Sequence, residues 1–114
     1  MSVKEELETS AVALRAACHD KTSMKISDLY SSTRSLADVA MMMTTVCEHL
    51  QTQIKYEKDH NVLGLDDDSE IREVDVLLSK VDEILVGSRV MAEGLRQSYS
   101  NSSDMLSHVY YVDR

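Results

Sequence analysis

The sequence predicts an all-α domain, a long antiparallel coiled-coil hairpin preceded by a shorter N-terminal helix. Apolar residues make up 43% of the 114 residues, and they recur every three or four positions, which is the period of one helix face. The chain has no proline and only three glycines, so little interrupts a helix. So few turn residues argue against a β-sandwich or barrel, and the high apolar content argues against disorder. The length is that of a single domain, residues 1–114.

The N-terminal helix is predicted over about residues 3–19. Ser2 and Glu5 have the spacing of a capping box, which starts the helix directly after Ser2. Its apolar series is Leu7, Ala11, Leu14 and Cys18. The next apolar series begins one residue out of register, and such a skip in a heptad pattern marks a break. Two arrangements stay open: this helix continues the first arm, or it folds back to form a three-helix bundle.

The first arm of the hairpin is predicted over about residues 24–58. Its expected buried series is Ile26, Leu29, Thr33, Leu36, Ala40, Met43, Cys47, Leu50 and Ile54. Val39 and Val46 widen this series on one side. Met41 and Met42 fall where a two-helix pairing leaves a helix open to solvent, and adaptable methionines are common on partner-binding surfaces. Either a partner or the folded-back N-terminal helix is expected to cover them.

The second arm is predicted over about residues 69–109. Its expected buried series is Ile71, Val74, Leu78, Val81, Leu85, Ser88, Ala92, Leu95, Tyr99, Ser102, Leu106 and Val109. Beside it lies a further apolar set of Leu77, Ile84, Met91 and Met105. This apolar face is wider than a two-stranded coiled coil needs, and it suits packing against two or more helices. The opposite flank is charged and is expected to face solvent: Asp75, Asp82, Arg89 and Arg96.

A loop over residues 59–68 is predicted to join the arms, and residues 110–114 are predicted to form a tail. Gly64 is the one turn residue between the two arms, and Asp67, Asp68 or Ser69 can cap the second arm. A short loop between two long amphipathic helices predicts an antiparallel hairpin. If the chain reverses near Gly64, equal rise per residue places Val109 opposite about residue 19.

Gly87 and Gly94 lie within the second arm, seven residues apart. Each costs a helix interior about 1 kcal/mol relative to alanine. No strand precedes them, so they do not form a phosphate-binding loop. They are interpreted either as points where another helix or a ligand approaches closely, or as neutral surface positions.

No catalytic, cofactor or metal site is expected. Cys18 is next to a histidine and Cys47 is two residues from one, but neighbours so close on a helix point to different faces, whereas zinc needs about four convergent ligands. Both cysteines are expected to pack as small hydrophobic residues in the apolar series. The acidic run at residues 66–70 lacks the Gly and Glu positions of a calcium-binding EF-hand loop.

The charge balance limits the partners. Twenty acidic and twelve basic residues leave a net charge of −8, and the basic residues are scattered, which argues against direct binding to nucleic acid or to anionic lipid. No apolar run approaches the ~20 residues of a membrane span, and the N-terminus has no secretion signal. With two cysteines, these features predict a cytoplasmic protein with free thiols. No small-molecule substrate is expected.

The sequence therefore predicts a non-enzymatic helical interaction subunit or adaptor, which assembles with itself or with other helical chains into a homo-oligomer or a larger complex. A 114-residue rod buries too little of such broad apolar faces by itself. In layout, the chain is similar to small coiled-coil subunits of eukaryotic complexes. The residues predicted to make these contacts are Leu7, Ala11, Leu14, Met41, Met42, Val46, Leu77, Ile84 and Met91.

The sequence also suggests two alternative functions. Exported helical hairpins of the bacterial type VII kind have this length, but they carry Trp-x-Gly at the turn, where this chain reads Val62-Leu63-Gly64 and contains no tryptophan. The second alternative is an acidic inhibitor or immunity protein. Residues 66–83 hold eight acidic and two basic residues, and such a patch can cover a basic site on a partner.

Overall fold

A computed structural model describes residues 2–60 and 71–112 of the chain, with side chains described from residue 73 onward in the second range. It contains three helices: α1 over Val3–His19, α2 over Ile26–His60 and α3 over Ile71–Leu106. The described residues contain no strand. The predicted all-α helical fold is confirmed.

The helix bounds lie within three residues of those predicted. The start and end of α1 agree with the prediction, whereas Asp59 and His60 are helical rather than part of the loop. The second arm ends at Leu106, earlier than expected. The predicted turn at Gly64 and the predicted caps at residues 67–69 lie outside the described residues.

The break between α1 and α2 is confirmed at residues 20–25. Asp20 leaves the helix with extended backbone, and its carboxylate accepts a 2.8 Å hydrogen bond from the Thr22 backbone N–H. The hydrogen bonds from Thr22 lower the pKa of Asp20. On the other side of the break, the Lys25 N–H donates to the Asp28 carboxylate at 3.1 Å, which is the arrangement of half a capping box. Local polar contacts therefore hold both helix ends.

Among the described residues, α1 packs against neither of the other helices. It is capped as predicted, since the Ser2 hydroxyl accepts from the Glu5 N–H at 3.2 Å. All its residues are exposed, Cys18 included, so the expectation that this thiol is part of a core is wrong. A helix the length of α3 spans about 54 Å, whereas the molecule is 73 Å long. The fold-back into a three-helix bundle is not formed, because α1 extends the rod instead.

Helices α2 and α3 pack antiparallel, with a register set by contacts along the hairpin. The Arg89 guanidinium meets the Glu48 carboxylate at 2.7 Å, and the Ile26 N–H donates to the Tyr111 hydroxyl at 3.2 Å. Both pairs have their midpoint near residue 68, about four residues beyond Gly64. The expected pairing of Val109 with residue 19 is therefore wrong, because the second arm and its tail end beside the start of α2.

Small residues occupy the centre of the hairpin. The buried positions of the two helices are Ala37, Ala40, Val74, Ala92 and Ser103. Ala40 and Ala92 are each only 2% exposed. Short side chains at these positions allow the two backbones to approach each other there, whereas larger residues such as Leu78 and Leu85 are half-buried along the same interface.

The buried series of α2 differs from the predicted one at every second position. The interface positions are Ile26, Tyr30, Thr33, Ala37, Ala40, Thr44, Cys47, Gln51 and Ile54. The expected members Leu29, Leu36, Met43 and Leu50 are all exposed. The heptad pattern offers two sides of the shared Ile26–Thr33–Ala40–Cys47 row, and the side that carries Ala37 and Thr44 is the one that faces α3.

In α3 the predicted series is buried or half-buried from Val74 to Ala92, while the side chain of Ile71 lies outside the described residues. Beyond Ala92, Tyr99 and Leu106 are half-buried as predicted, but the expectation for Val109 is wrong because it is exposed, and two positions shift by one residue. Leu95 and Ser102 were expected inside but are exposed, whereas Arg96 is half-buried and Ser103 is buried. A straight α-helix has 3.6 residues per turn, so it drifts by about 20° in each heptad against a strict seven-residue repeat. Ala92 and Ser103 are eleven residues apart, which is close to three full turns of a straight helix.

We predict that Ala40→Leu lowers the free energy of unfolding by about 1–3 kcal/mol, because the larger side chain forces α2 away from α3. The same change at the exposed Ala13 of α1 is the control, with an expected effect within about 0.5 kcal/mol. Urea unfolding at a fixed chain concentration measures both. An unchanged or raised stability for Ala40→Leu would show that small residues do not set the helix spacing.

Candidate protein-interaction surface

One side of the hairpin carries the polar contacts between its arms. The Arg89 guanidinium donates to the Glu48 carboxylate at 2.7 Å and to the Gln51 side-chain oxygen at 3.1 Å. The Gln51 amide in turn donates to the Asp82 carboxylate at 3.1 Å. Asp82 and Arg89 were expected to face solvent, but both are half-buried and join α3 to α2. This network fixes the register more than it adds stability, because a partly exposed ion pair is worth at most about 1 kcal/mol.

The same polar side continues toward the C-terminus of α3. The Arg96 guanidinium donates three hydrogen bonds of 2.6–3.1 Å to the Glu93 carboxylate. These bonds lower the pKa of Glu93 and raise the pKa of Arg96. A shallow groove on this side is lined by Thr44, Glu48, Val86, Arg89, Val90 and Glu93. We call this surface the polar side.

A second apolar series follows each helix on the other side. In α2 it is Leu36, Val39, Met43, Val46 and Leu50, and in α3 it is Leu77, Ile84, Met91 and Leu95. We call these nine residues the apolar face. Ile84 and Met91 are 67% and 66% exposed, so α2 does not cover them. Val39 and Val46 are half-buried, which fits shielding by larger neighbours one turn away on the same helix.

The two halves of the apolar face lie on the same side of the hairpin. Successive residues of a helix are about 100° apart around its axis. On both α2 and α3, this spacing places the exposed apolar series on the same rotational side of the buried series, as seen along each helix from its N-terminus. Because the helices are antiparallel and face each other, equal rotations bring both series to one side. The polar groups rotate the opposite way on each helix, and the direct contact of Arg89 with Glu48 confirms that those flanks adjoin.

The apolar face carries no charged residue over residues 29–54 of α2 and 81–105 of α3, whereas Lys80, between Leu77 and Ile84, points by helical position to the same side. Between residues 29 and 54 the charged residues of α2 are Arg34, Asp38 and Glu48, and between residues 81 and 105 those of α3 are Asp82, Glu83, Arg89, Glu93, Arg96 and Asp104. By helical position, all nine point to the polar side or directly away from the partner helix. Charged residues make up 28% of the chain, so their exclusion from about 36 Å of one side sets that side apart.

The structure separates the predicted contact residues into four places. Val46, Leu77, Ile84 and Met91 lie together on the apolar face. Met42 is on the side of α2 that points away from α3, and Met41 shares the side of Glu48, seven residues further on. Both methionines are exposed, so the expectation that α1 covers them is wrong. The remaining residues are exposed on the separate α1: Leu7, Ala11 and Leu14.

Five members of the apolar face were not among the predicted contact residues, and one of them, Val39, was predicted only to widen the buried series of α2. Leu36, Met43 and Leu50 were assigned to the α2–α3 interface, and so was Leu95 of α3. The signal that could have found them is the position of the charged residues, which marks the polar side of each helix and thereby the uncharged side opposite. The heptad spacing alone does not carry this information.

The two helical glycines flank the apolar face on α3. A methyl group added at Gly87 or Gly94 would meet no atom within 4 Å. Close approach of another part of the described chain is therefore not the reason for either glycine. Within this chain both are surface positions.

Residues 2–60 and 71–112 are the part of the chain that the structure describes. No group of three or more His, Cys, Asp or Glu side chains there is placed to hold a metal ion. No helix in these ranges is long and apolar enough to cross a membrane. In comparisons with protein-family models, with curated proteins and with solved structures, nothing matches this chain.

We predict that Gly87→Ala and Gly94→Ala each raise the free energy of unfolding by about 1 kcal/mol, because alanine is the better helix former and nothing in the chain obstructs its methyl group. Thermal and urea unfolding of the single variants measure this. A loss of stability in either variant would mean that a helix or ligand packs against the glycine.

Proposed function

We propose that this protein is a non-enzymatic helical interaction subunit, which assembles with other helical surfaces through its apolar face. The observation that carries the proposal is the separation of charge from apolar surface between residues 29 and 54 of α2 and residues 81 and 105 of α3. A helix pair that only had to fold would need one buried series on each arm. This pair has a second one, free of charge, on the same side of both helices.

The size of the apolar face supports a binding role. The side of the hairpin that carries it is about 36 Å long, and two adjacent helices are about 20 Å wide, so this side, with its apolar and uncharged polar residues, measures roughly 700 Å². Soluble monomers rarely expose a contiguous apolar patch larger than a few hundred Å² unless it serves binding. Burial of Ile84 and Met91, the two most exposed members on α3, is expected to contribute most of the binding free energy.

The polar side supports the same reading. Its Arg, Glu, Gln and Asp side chains bond to each other across the hairpin or along α3, and its grooves are shallow. They act as structural links, which favours binding over catalysis as the role of this chain. The thiols of Cys18 and Cys47 are both free, so the proposal places the subunit in a reducing compartment such as the cytoplasm.

Met91→Glu tests the proposal, with Val90→Glu as a matched control. The two residues are neighbours on α3 with nearly equal exposure, 66% and 69%, but Met91 is on the apolar face and Val90 lines the groove on the polar side. If the apolar face binds protein, a charge at position 91 removes the bound proteins, because an unpaired carboxylate would be buried. Affinity purification of the tagged chain from the cells that express it, with quantitative mass spectrometry, measures this.

We expect the wild-type chain and Val90→Glu to retain the same set of partners and Met91→Glu to lose at least nine-tenths of it. Equal retention by both variants would contradict the proposal. Binding that is unchanged in Met91→Glu but is lost at high salt would instead identify an acidic inhibitor of a basic partner.

A further inference from the structure

Two separate surfaces of this chain lack a partner among the described residues. One is the apolar face of the hairpin. The other is the α1 series Leu7, Ala11, Leu14 and Cys18, whose 4-3-4 spacing is that of a coiled-coil strip and whose members are all exposed. The two surfaces lie at different levels along the 73 Å molecule, because α1 extends beyond the hairpin. An occupant that covers both must therefore be long.

A second copy of the chain matches the apolar face in size and charge. Stable interfaces bury about 800 Å² per partner, and the side of the hairpin that carries this face measures roughly 700 Å². Two chains of net charge −8 repel each other in general. Over residues 29–54 of α2 and 81–105 of α3, however, every charge points to the polar side or outward, so two copies can meet there on neutral surface, with Lys80 at the edge of this stretch near Leu77. A two-fold interface brings the same face of both copies together, so one uncharged apolar face is sufficient to form it.

We infer that a second copy of this chain packs face to face on the apolar face, about a two-fold axis parallel to the long axis of the rod. This inference rests on the proposed function and names its partner. In this arrangement the His60 ends of both copies lie together, and α2 of one copy faces α3 of the other. The result is a four-helix bundle in which all adjacent helices are antiparallel.

The direction of the two-fold axis follows from α1. An axis perpendicular to the rod would also pair the apolar faces, but it would send the two α1 helices to opposite ends and leave both without a partner. The parallel axis makes both α1 helices leave from the same end. The α2 helices are then diagonal in the bundle, about 13 Å apart for ordinary interaxial distances. The α1 helices continue from them in parallel and in register, so that their Leu7, Ala11 and Leu14 strips meet.

The test combines solution mass with one distance. The full chain with Cys18→Ala, Cys47→Ala and Ala13→Cys has a single thiol, at an exposed position of α1 outside the Leu7, Ala11, Leu14 and Cys18 strip, which takes a spin label without disturbing a packed position. Light scattering on a sizing column gives the mass, and double electron–electron resonance gives the distance between the two labels. Val90→Glu and Met91→Glu in the same background are the control and the disrupting variant.

We expect twice the 12.8 kDa chain mass and a label distance under about 30 Å in the parent and in Val90→Glu, and a monomer without a distance in Met91→Glu. A dimer with labels more than about 54 Å apart, the hairpin length, would overturn the parallel axis. A monomer would overturn the second copy as occupant, while loss of cellular partners in Met91→Glu would leave the proposed function standing. A dimer that persists in Met91→Glu would refute both.

Discussion

The structure depends on the close packing of small residues between α2 and α3. Ala37 and Ala40 on one arm and Ala92 and Ser103 on the other are the most buried side chains of the hairpin, along with Val74. On α2, the row that faces α3 has the small residues Ala37 and Ala40 at its centre, and several bulkier apolar residues of this helix lie on the flank. Leu36, Met43 and Leu50 of α2 are exposed for this reason, and they meet the flank of α3 that carries Ile84 and Met91.

The polar side completes this arrangement. Arg89 bridges to Glu48 and Gln51, and this link sets both the register and the rotation of each helix. A small rotation would bring the leucines of α2 inward and expose the alanines, at the cost of breaking these bonds. The network thus holds the hairpin in the one orientation that presents the apolar face. At the other end of the hairpin, the Tyr111 hydroxyl accepts a hydrogen bond from the Ile26 backbone N–H, and this contact fixes the same register.

The helices could be predicted from the sequence, but the side of each helix that packs against the other could not. Helix bounds came from caps and breaks, such as the Ser2–Glu5 spacing and the register skip near residue 20, because these are local effects that a single segment encodes. Which apolar row of α2 faces α3 is not local. Ile26, Thr33, Ala40 and Cys47 belong to both candidate rows, and the choice depends on the shape of the opposite helix. The shift after Ala92 has the same origin, since a strict heptad count ignores the drift of a straight helix.

The interaction surface could be predicted in part. Ile84, Leu77 and Met91 were identified because they form a second apolar row, beyond the one row that packing against a single helix requires. Leu36 and Met43 were missed because the heptad count assigned them to the α2–α3 interface.

The oxidation rates of the chain's own methionines test most directly whether a second copy covers the apolar face. Met43 and Met91 lie on the apolar face, whereas Met24, Met41 and Met42 lie elsewhere, and all five are about half exposed or more in a single chain. Peroxide oxidation of the unmodified protein, followed residue by residue with mass spectrometry, compares them within one sample. The account predicts that Met43 and Met91 oxidise several-fold more slowly than the other three at assembling concentrations, and that the difference disappears on dilution. Equal rates at all five methionines at every concentration would contradict it.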